Sequence, residues 1–446
     1  MKKLVVLGAG ESGVGAALLG KVKGLAVFVS DSGQIGDEYR NVLLNNDIEF
    51  EEGGHSFERI LEADLVVKSP GIPDRVPLVK QLVAKGVPVI SEIEFAGKYS
   101  KAKFIGITGS NGKTTTTLLL HHILSKAGMN VGLAGNVGKS LAAIVAEGDP
   151  YEWVVLELSS FQLDGMIDFK CDIAILLNIT EDHLDRYENS IRKYAKSKMR
   201  IVQNQSKDDW FIYSDDDPLV AEMLEMTSVP AARAPFSIEH TIEGNGAFTL
   251  NNQITINHHK SPLTMTIQEL ALQGKHNLYN SMAAGIASRV LEVRKDMIRE
   301  CLTDFQNIEH RLEYVNSVYG MRFINDSKAT NVNSTWYALE SQSEPIIWIA
   351  GGVDKGNDYS QIKDIVASKV SAIICLGKDN AKLHEAFGDV VETMIDVETM
   401  RDAVYQAYKA GNRGDVVLLS PACASFDLFE DYEDRGRQFK EAVRNL

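Results

Sequence analysis

GITGSNGKTTTT, Gly106 to Thr117, is the stretch on which the fold reading turns. It follows an apolar run around Phe104–Ile107 and leads into Leu118–Ala127, which reads as a helix. A strand that enters a glycine-rich turn and leaves as a helix headed by Lys-Thr is suited to a nucleoside triphosphate. The backbone N–H groups of Gly109, Ser110, Asn111, Gly112 and Lys113 are placed to cradle phosphate oxygens. Lys113 then faces the β and γ phosphates, and the Thr114 hydroxyl, with Thr115 beside it, faces Mg2+. The spacing departs from G-x-x-x-x-G-K-[ST], because Gly106 lies one residue too far from Gly112 and Ile107 stands at the expected glycine. The alternative is a plain Gly/Asn turn between strand and helix; the Lys-Thr pair and its context favour ATP.

A chain of 446 residues exceeds one comfortable hydrophobic core, so two or three domains are expected, each with its own interior. The 46 basic and 61 acidic residues give a net charge of −15, and no Lys/Arg-dense segment offers a nucleic-acid footprint. An anionic substrate must therefore be held by local sites. Cys171, Cys301, Cys375 and Cys423 are widely spaced, form no C-x-x-C pair and read as buried thiols. Met1-Lys2-Lys3-LVVLGAG resembles a signal peptide only superficially, since Glu11 and the glycines interrupt it. No apolar run reaches the ~20 residues that span a bilayer. A cytoplasmic protein is expected.

The first hundred residues alternate apolar strands, at Leu4–Leu7, Ala26–Val29, Leu65–Lys68 and Pro88–Ile90, with helical segments, the pattern of a parallel sheet. The first turn, GAGESG from Gly8 to Gly13, is followed by Asp31, 18 residues beyond Gly13, close to dinucleotide-binding spacing. The same geometry suits NAD, another nucleotide diphosphate, or a merely structural turn. A second unit begins near Lys101, with strands at Trp153–Leu156 and Ile173–Leu177, a helix from about Ser190 to Gln203, antiparallel strands across Ala247–Thr266, and a helix from GKHNLYNSMAAGIA. A third begins near Glu309 with a hairpin, Leu312–Ser317 and Met321–Asn325, then strands at Ile346–Ala350, Ala372–Leu376 and Val416–Leu419.

Several strand ends carry polar side chains. Glu157 ends the strand before LSSFQ and is placed to coordinate Mg2+; the alternative is an ordinary strand-end acid. NITEDHLDRY brings Asn178, Glu181, Asp182, His183 and Asp185 to the end of the next strand, although the Mg2+ preference for oxygen weighs against a histidine ligand. Lys198, amid Lys193, Lys196 and Arg200, reads by itself as part of a solvated basic face. INDSKATN, AGGVDKGNDY and SPACASFD are three polar loops after strands, and with Lys328 and Lys355 they suit a small carboxylate. Asp326 has the bland alternative of capping the next helix.

The ordered set GITGSNGKTT, LELSSFQL, NITEDHLDRY, GKHNLYN, HRLEY, NDSKATN, GGVDKG and SPACASFD resembles the Mur ligases, most nearly those that add D-glutamate. The resemblance implies an α/β protein of three domains: a Rossmann-like N-terminal domain for a UDP-linked substrate (1–98), a P-loop ATPase-like central parallel sheet with added antiparallel strands (99–308), and a Rossmann-like C-terminal domain that closes over the amino acid (309–446). It implies an ATP-dependent ligase that phosphorylates the terminal carboxylate of UDP-N-acetylmuramoyl-L-alanine, after which the D-glutamate amine displaces phosphate. Such a reaction needs alignment and charge neutralisation rather than a protein nucleophile.

Carried over by position, Lys113 and Thr114 hold phosphate and Mg2+, with Glu157 supporting that metal. His183 and Lys198 match a second Mg2+ site, with Lys198 carbamylated so that it offers oxygen. Asn280, Arg311 and Asp326 match ATP contacts. Asp31 and Ser32 resemble uracil-side contacts, Ser69 and Gly71 those near the diphosphate, and Asn136, 23 residues after Lys113, a substrate contact. Lys328, Thr330, Lys355, Ser425, Phe426 and Tyr432 match the D-glutamate pocket. A monomer is expected, and the charge distribution and the short apolar runs speak against a nucleic-acid or membrane partner. Two departures stand out: Val353-Asp354-Lys355 replaces an expected Asp-Gly-Lys, and the pocket's aromatic is Tyr432, which adds a hydroxyl. Alternatives are a related amide ligase, though no Asp-Asn-Pro-Arg signature of the diaminopimelate-adding relative is present, an NAD-dependent oxidoreductase, which leaves the ATP loop idle, and a non-catalytic nucleotide switch, which leaves Lys328 and Lys355 unexplained.

Overall fold

Three sheets follow one another along the chain in a computed structural model that describes residues 2–259, 261–305, 309–354 and 356–446. In the first, β1 (Lys3–Leu7), β2 (Ala26–Ser30), β3 (Glu49–Glu51), β4 (Leu65–Lys68) and β5 (Val89–Ile90) lie in the order β3-β2-β1-β4-β5, all parallel. The second contains β6 (Lys103–Thr108), β7 (Val131–Gly135), β8 (Trp153–Glu157), β9 (Ile173–Leu176), β10 (Trp210–Ser214), β11 (Ala232–Ser237), β12 (Gly246–Leu250), β13 (Gln253–Asn257) and β14 (Leu263–Thr266). Their order is β14-β13-β12-β11-β10-β9-β6-β8-β7, with β12-β13-β14 antiparallel and the rest parallel. The third sheet joins β15 (Glu313–Val318), β16 (Met321–Asn325), β17 (Ile346–Ala350), β18 (Val370–Leu376), β19 (Thr393–Val397) and β20 (Val416–Leu419) in the order β15-β16-β20-β17-β18-β19. Only the β15-β16 hairpin of that sheet is antiparallel.

The inner strands read as unbroken apolar runs because both faces are covered: β8, β9, β17 and β20 are buried along their whole length. Crossover helices join the parallel strands, and every strand-end loop between β6 and β9 emerges at the same carboxyl edge. The order β9-β6-β8 makes the loops after those three strands neighbours.

The chain packs as two compact units, Met1–Glu269 with Tyr279–Thr303, and Leu270–Leu278 with Asp304–Leu446. Within the first, the two sheets do not keep separate interiors. One face of the N-terminal sheet has its own core around Val5, Leu7, Phe28 and Val66. The other contributes Leu4, Val6 and Val29 to a core continuous with Phe104, Leu156 and Phe211 of the central sheet. The cause is the small-residue face of the helix Glu11–Val22, which lets the helix Leu141–Ala146 come so close that a Cβ on Gly15 would lie 1.9 Å from Ser140 Oγ. Glu92 completes the junction, accepting the Ala142 N–H at 2.5 Å from a fully buried position.

The helix after the β6 loop begins at Lys113, with the Lys-Thr pair at its head as expected, and so takes in the threonines ahead of the apolar run from Leu118. Four consecutive threonines are β-branched and favour helix weakly. Thr114, Thr115, Thr116 and Thr117 are all buried, so packing overrides propensity. β3, β7, β10, β11 and β19 are strands that the sequence reading passes over. Among the described residues, no helix is long and apolar enough to cross a membrane.

Candidate active site

The loop after β6 turns on two glycines in the left-handed half of conformational space, Gly109 at φ +152° and Gly112 at φ +83°. At Gly112 a Cβ would also lie 2.3 Å from Asn280 Oδ1, so the side chain of this expected nucleotide contact sits against the loop. Thr116 Oγ1 donates to the same Asn280 oxygen at 3.1 Å. The loop is tied to the segment after β9 by a reciprocal set of bonds. Ser110 N–H donates to Asn178 O at 3.0 Å, Asn111 N–H to Asn178 Oδ1 at 2.8 Å, and Thr180 N–H to Ser110 Oγ at 2.9 Å. Asn178 and Thr180 therefore set the loop's shape, a role that sequence spacing gave no sign of.

Two lysines converge on this loop. Lys113 Nζ donates to Gly109 O and Ser110 O, both at 2.8 Å. Lys198 Nζ donates to Gly109 O at 2.7 Å from the helix Ile191–Met199 and lies 4.5 Å from the Tyr194 ring centroid. Lys198 is 1% exposed, so the solvated basic face suggested by its neighbours is wrong for this residue. Burial, reinforced by the Lys113 charge, pushes its pKa well below the ordinary lysine value, against the opposing pull of Asp182 and Asp164.

Glu157, 1% exposed at the end of β8, is held by Asn136, which donates its backbone N–H to Glu157 O at 2.9 Å and its Nδ2 to Oε1 at 3.0 Å. That approach requires glycine at 135, where φ is +101° and a Cβ would lie 2.3 Å from Glu157 O. Thr114 and Glu157 thus offer buried oxygens, the donors that Mg2+ favours. His183 has φ +52° and packs edge-on to Phe161 at 5.2 Å between centroids. As an imidazole and an amine, His183 and Lys198 do not by themselves make a hard oxygen site; a carbamate on Lys198 would.

The turn of the N-terminal sheet lies at its topological switch point, between β1 and β4. Gly8 has φ +94°, and a Cβ there would lie 2.8 Å from the Cβ of Ser69. Asp31 uses both carboxylate oxygens on backbone, accepting the Ala9 N–H at 2.7 Å and the Gly33 N–H at 2.8 Å. Ser32 and Gly71 are exposed beside it. Arg186 links the loop after β4 to the segment carrying His183, donating to Gly71 O at 3.1 Å with its guanidinium 4.3 Å from the Phe161 ring centroid.

In the second unit, Arg311 and Asp326 lie close enough for the guanidinium to lower the Asp326 pKa, but burial dominates and pushes it up to about 7. Ser420 donates to the Asp326 carboxylate at 2.9 Å. Lys328 Nζ stands 5.0 Å from the Tyr432 ring centroid, and the Tyr432 hydroxyl donates to Glu433 at 2.9 Å. Ser425 is buried, Thr330 half-buried and Phe426 exposed, while Lys355 lies outside the described residues. Asp354 organises its own turn, accepting the Gly356 N–H at 2.7 Å and the Tyr359 hydroxyl at 3.0 Å. Arg435, unmarked in the sequence reading, is 1% exposed and clamps two of the three polar loops. It donates to Ser327 Oγ at 3.0 Å, Ser327 O at 2.8 Å and Cys423 O at 3.2 Å.

The chain matches three family models: a MurD N-terminal domain over residues 3–76, a Mur ligase middle domain over 107–288, and a Mur ligase, glutamate ligase domain over 310–423. A UDP-N-acetylmuramoylalanine--D-glutamate ligase of Christiangramia forsetii is 54% identical over 445 residues, covering 100% of both chains. The chain belongs to the Mur ligase family. Proteins of the same name from Bacteroides fragilis and Porphyromonas gingivalis are 54% and 53% identical to this Mur ligase, covering 100% and 98% of their own lengths. Among solved structures, the UDP-N-acetylmuramate-alanine ligase of Thermotoga maritima covers 100% of this Mur ligase and 99% of its own chain, with a TM-score of 0.63 at 19% identity. The MurF ligase of Thermotoga maritima, solved in complex with ADP, gives 0.61 at 14% identity, covering 94% and 95%. These two show the shared three-domain α/β fold.

Proposed function

We propose that this Mur ligase joins D-glutamate to UDP-N-acetylmuramoyl-L-alanine at the expense of ATP, a step of peptidoglycan precursor synthesis in the cytoplasm. The observation that carries the chemistry is the convergence of Lys113 and Lys198 on Gly109 beside a buried carboxylate. The choice of D-glutamate follows the relatives that bear that name over their full length.

The domains, taken as 1–98, 99–308 and 309–446, divide the work. Gly8, Asp31, Ser32, Ser69 and Gly71 frame the UDP end, and Asn136 reaches toward the muramoyl group. The loop Gly109–Thr115 and Asn280 are assigned to ATP, and so, by their match to the family's positions, are Arg311 and Asp326. Lys113 neutralises the transferring γ-phosphoryl group as it moves to the terminal carboxylate, giving an acyl phosphate and ADP. The amine of D-glutamate, whose carboxylates are held in the pocket of Lys328, Thr330, Lys355, Ser425, Phe426 and Tyr432, then forms the C–N bond. A proton is lost and inorganic phosphate leaves. Mg2+, when bound, supplies further neutralisation of phosphate charge; Thr114 and Glu157 would hold one ion, His183 and Lys198 a second.

The lowered pKa of Lys198 gives its modification a cause. A neutral amine attacks CO2, a new N–C bond forms, a proton departs, and the resulting carbamate offers a hard ion two oxygens that share one negative charge. Burial and the Lys113 charge both favour the neutral amine.

Phosphate release with ATP, Mg2+ and UDP-N-acetylmuramoyl-L-alanine tests the reading, with D-glutamate compared to L-glutamate, lysine and diaminopimelate. Turnover is expected with D-glutamate; release with another amino acid but none with D-glutamate would sink it. Lys198→Ala is expected to lose roughly 10²–10³-fold in turnover, beyond rescue by bicarbonate, while UDP-substrate affinity stays within about twofold. Normal turnover in that variant would remove Lys198 from the reaction.

A further inference from the structure

Three side chains with different metal-binding chemistry meet at the open edge of the C-terminal sheet, apart from every group used above. β18 and β19 run in parallel register with Cys375 opposite Asp396, so thiol and carboxylate stand on one face. The helix Ala381–Phe387 packs on that face through Leu383 and Phe387. It places His384 Nε2 3.0 and 3.1 Å from the two Asp396 oxygens. The ligating atoms of Cys375, His384 and Asp396 all lie within 4.8 Å of one another.

We propose that Cys375, His384 and Asp396 form a binding site for a divalent transition-metal ion of the zinc class, which pins the helix Ala381–Phe387 to the edge of the sheet. One thiolate, one imidazole and one carboxylate are a donor set that zinc accepts and Mg2+ does not favour. Bond lengths of about 2.0–2.3 Å in a tetrahedral site put neighbouring donor atoms roughly 3.3–3.8 Å apart, so small side-chain rotations within the observed cluster suffice.

The carboxylate is also held from behind, as ligating groups are. Asn380 Nδ2 donates to Asp396 Oδ1 at 3.0 Å and is fixed in turn by the carbonyls of Cys375 and Gly377, both at 3.2 Å. A cavity of about 730 Å³, lined by Lys378, Asp379, His384, Asp396 and Glu398, opens over the pair and gives an ion its entry and a fourth ligand its place. A surface His–Asp pair accounts for two of these residues. It does not account for the thiol beneath them or the amide that aims the carboxylate.

The test is optical and independent of ligase activity. The full-length protein, reduced and freed of metal, is titrated with Co2+ in excess Mg2+, without nucleotide. The expected result is one equivalent of tetrahedral cobalt, with visible d–d bands and a near-ultraviolet thiolate-to-cobalt band, both bleached by Zn2+. Cys375→Ser should abolish the thiolate band. His384→Ala should weaken binding at least about 100-fold and Asn380→Ala about tenfold. His384 is half-exposed, so its variant decides the matter even if Cys375→Ser fails to fold. A wild-type protein without a thiolate band, a band that survives Cys375→Ser, or unchanged affinity in His384→Ala would each overturn the proposal.

Discussion

Glu92 shows how much a single side chain can report. Its carboxyl is fully buried between the N-terminal and central domains, accepts the Ala142 N–H, and is pushed up to about 7 by burial, with the nearby Glu11 adding to the rise. The unfolded value is near 4.5, so between pH 4.5 and 7 the folded state binds more protons and stability falls as pH rises. Glu92→Gln keeps the accepting oxygen and removes the charge. The variant should match the wild type near pH 5 and exceed it at pH 8 by on the order of 1–3 kcal/mol. Denaturant melts at the two pH values check this, and an equal gap at both would show that Glu92 does not ionise in place. Nothing in the sequence around SEIEF marked this residue, because its environment is made by a helix 50 positions away. Lys198 is the same lesson in reverse. Its neighbours Lys193, Lys196 and Arg200 suggest solvent, yet helical periodicity turns it inward to Gly109.

At the scale of elements, close approach decides outcomes that propensity would reverse. Alanine is favoured over glycine in a helix interior by about 1 kcal/mol. At Gly15 the added Cβ would meet Ser140 Oγ at 1.9 Å, an overpacking expected to cost about 1–3 kcal/mol, so the net effect of Gly15→Ala should be destabilising. A raised melting temperature would mean that the helices Glu11–Val22 and Leu141–Ala146 slide apart at little cost. Arg435 plays a connecting part in the C-terminal domain, where one guanidinium serves Ser327 and Cys423. Arg435→Lys leaves the charge but loses the fork, so both Arg435→Lys and Arg435→Met should raise KM for D-glutamate at least about tenfold. Full activity in the lysine variant would reduce the role to charge alone. The strands legible in the sequence were those whose burial is written as unbroken apolar residues, such as Ile346–Ala350 and Val416–Leu419. Thr393–Val397 escaped because it is a half-exposed edge strand.

For the molecule as a whole, the continuous core beneath the first two sheets makes a prediction about cooperativity. Amides of β1 and β4 should exchange through the same global opening as those of β6 and β8, with one free energy and one denaturant dependence. Hydrogen exchange across a denaturant series measures this, and two separate isotherms would show that the N-terminal sheet melts alone. Sequence by itself determined the α/β class, the order of three sheets, the glycine-rich loop between β6 and its helix, and the family, because these rest on local patterns: apolar runs, glycine turns and motif residues close together in the chain. Only tertiary structure decided that two domains share an interior, that Lys198 is buried with a lowered pKa, that Asn178 and Thr180 shape the loop, and that Arg435 joins its own. Each of those depends on desolvation or on hydrogen bonds between segments far apart in sequence, and such contacts leave no periodic trace in the chain.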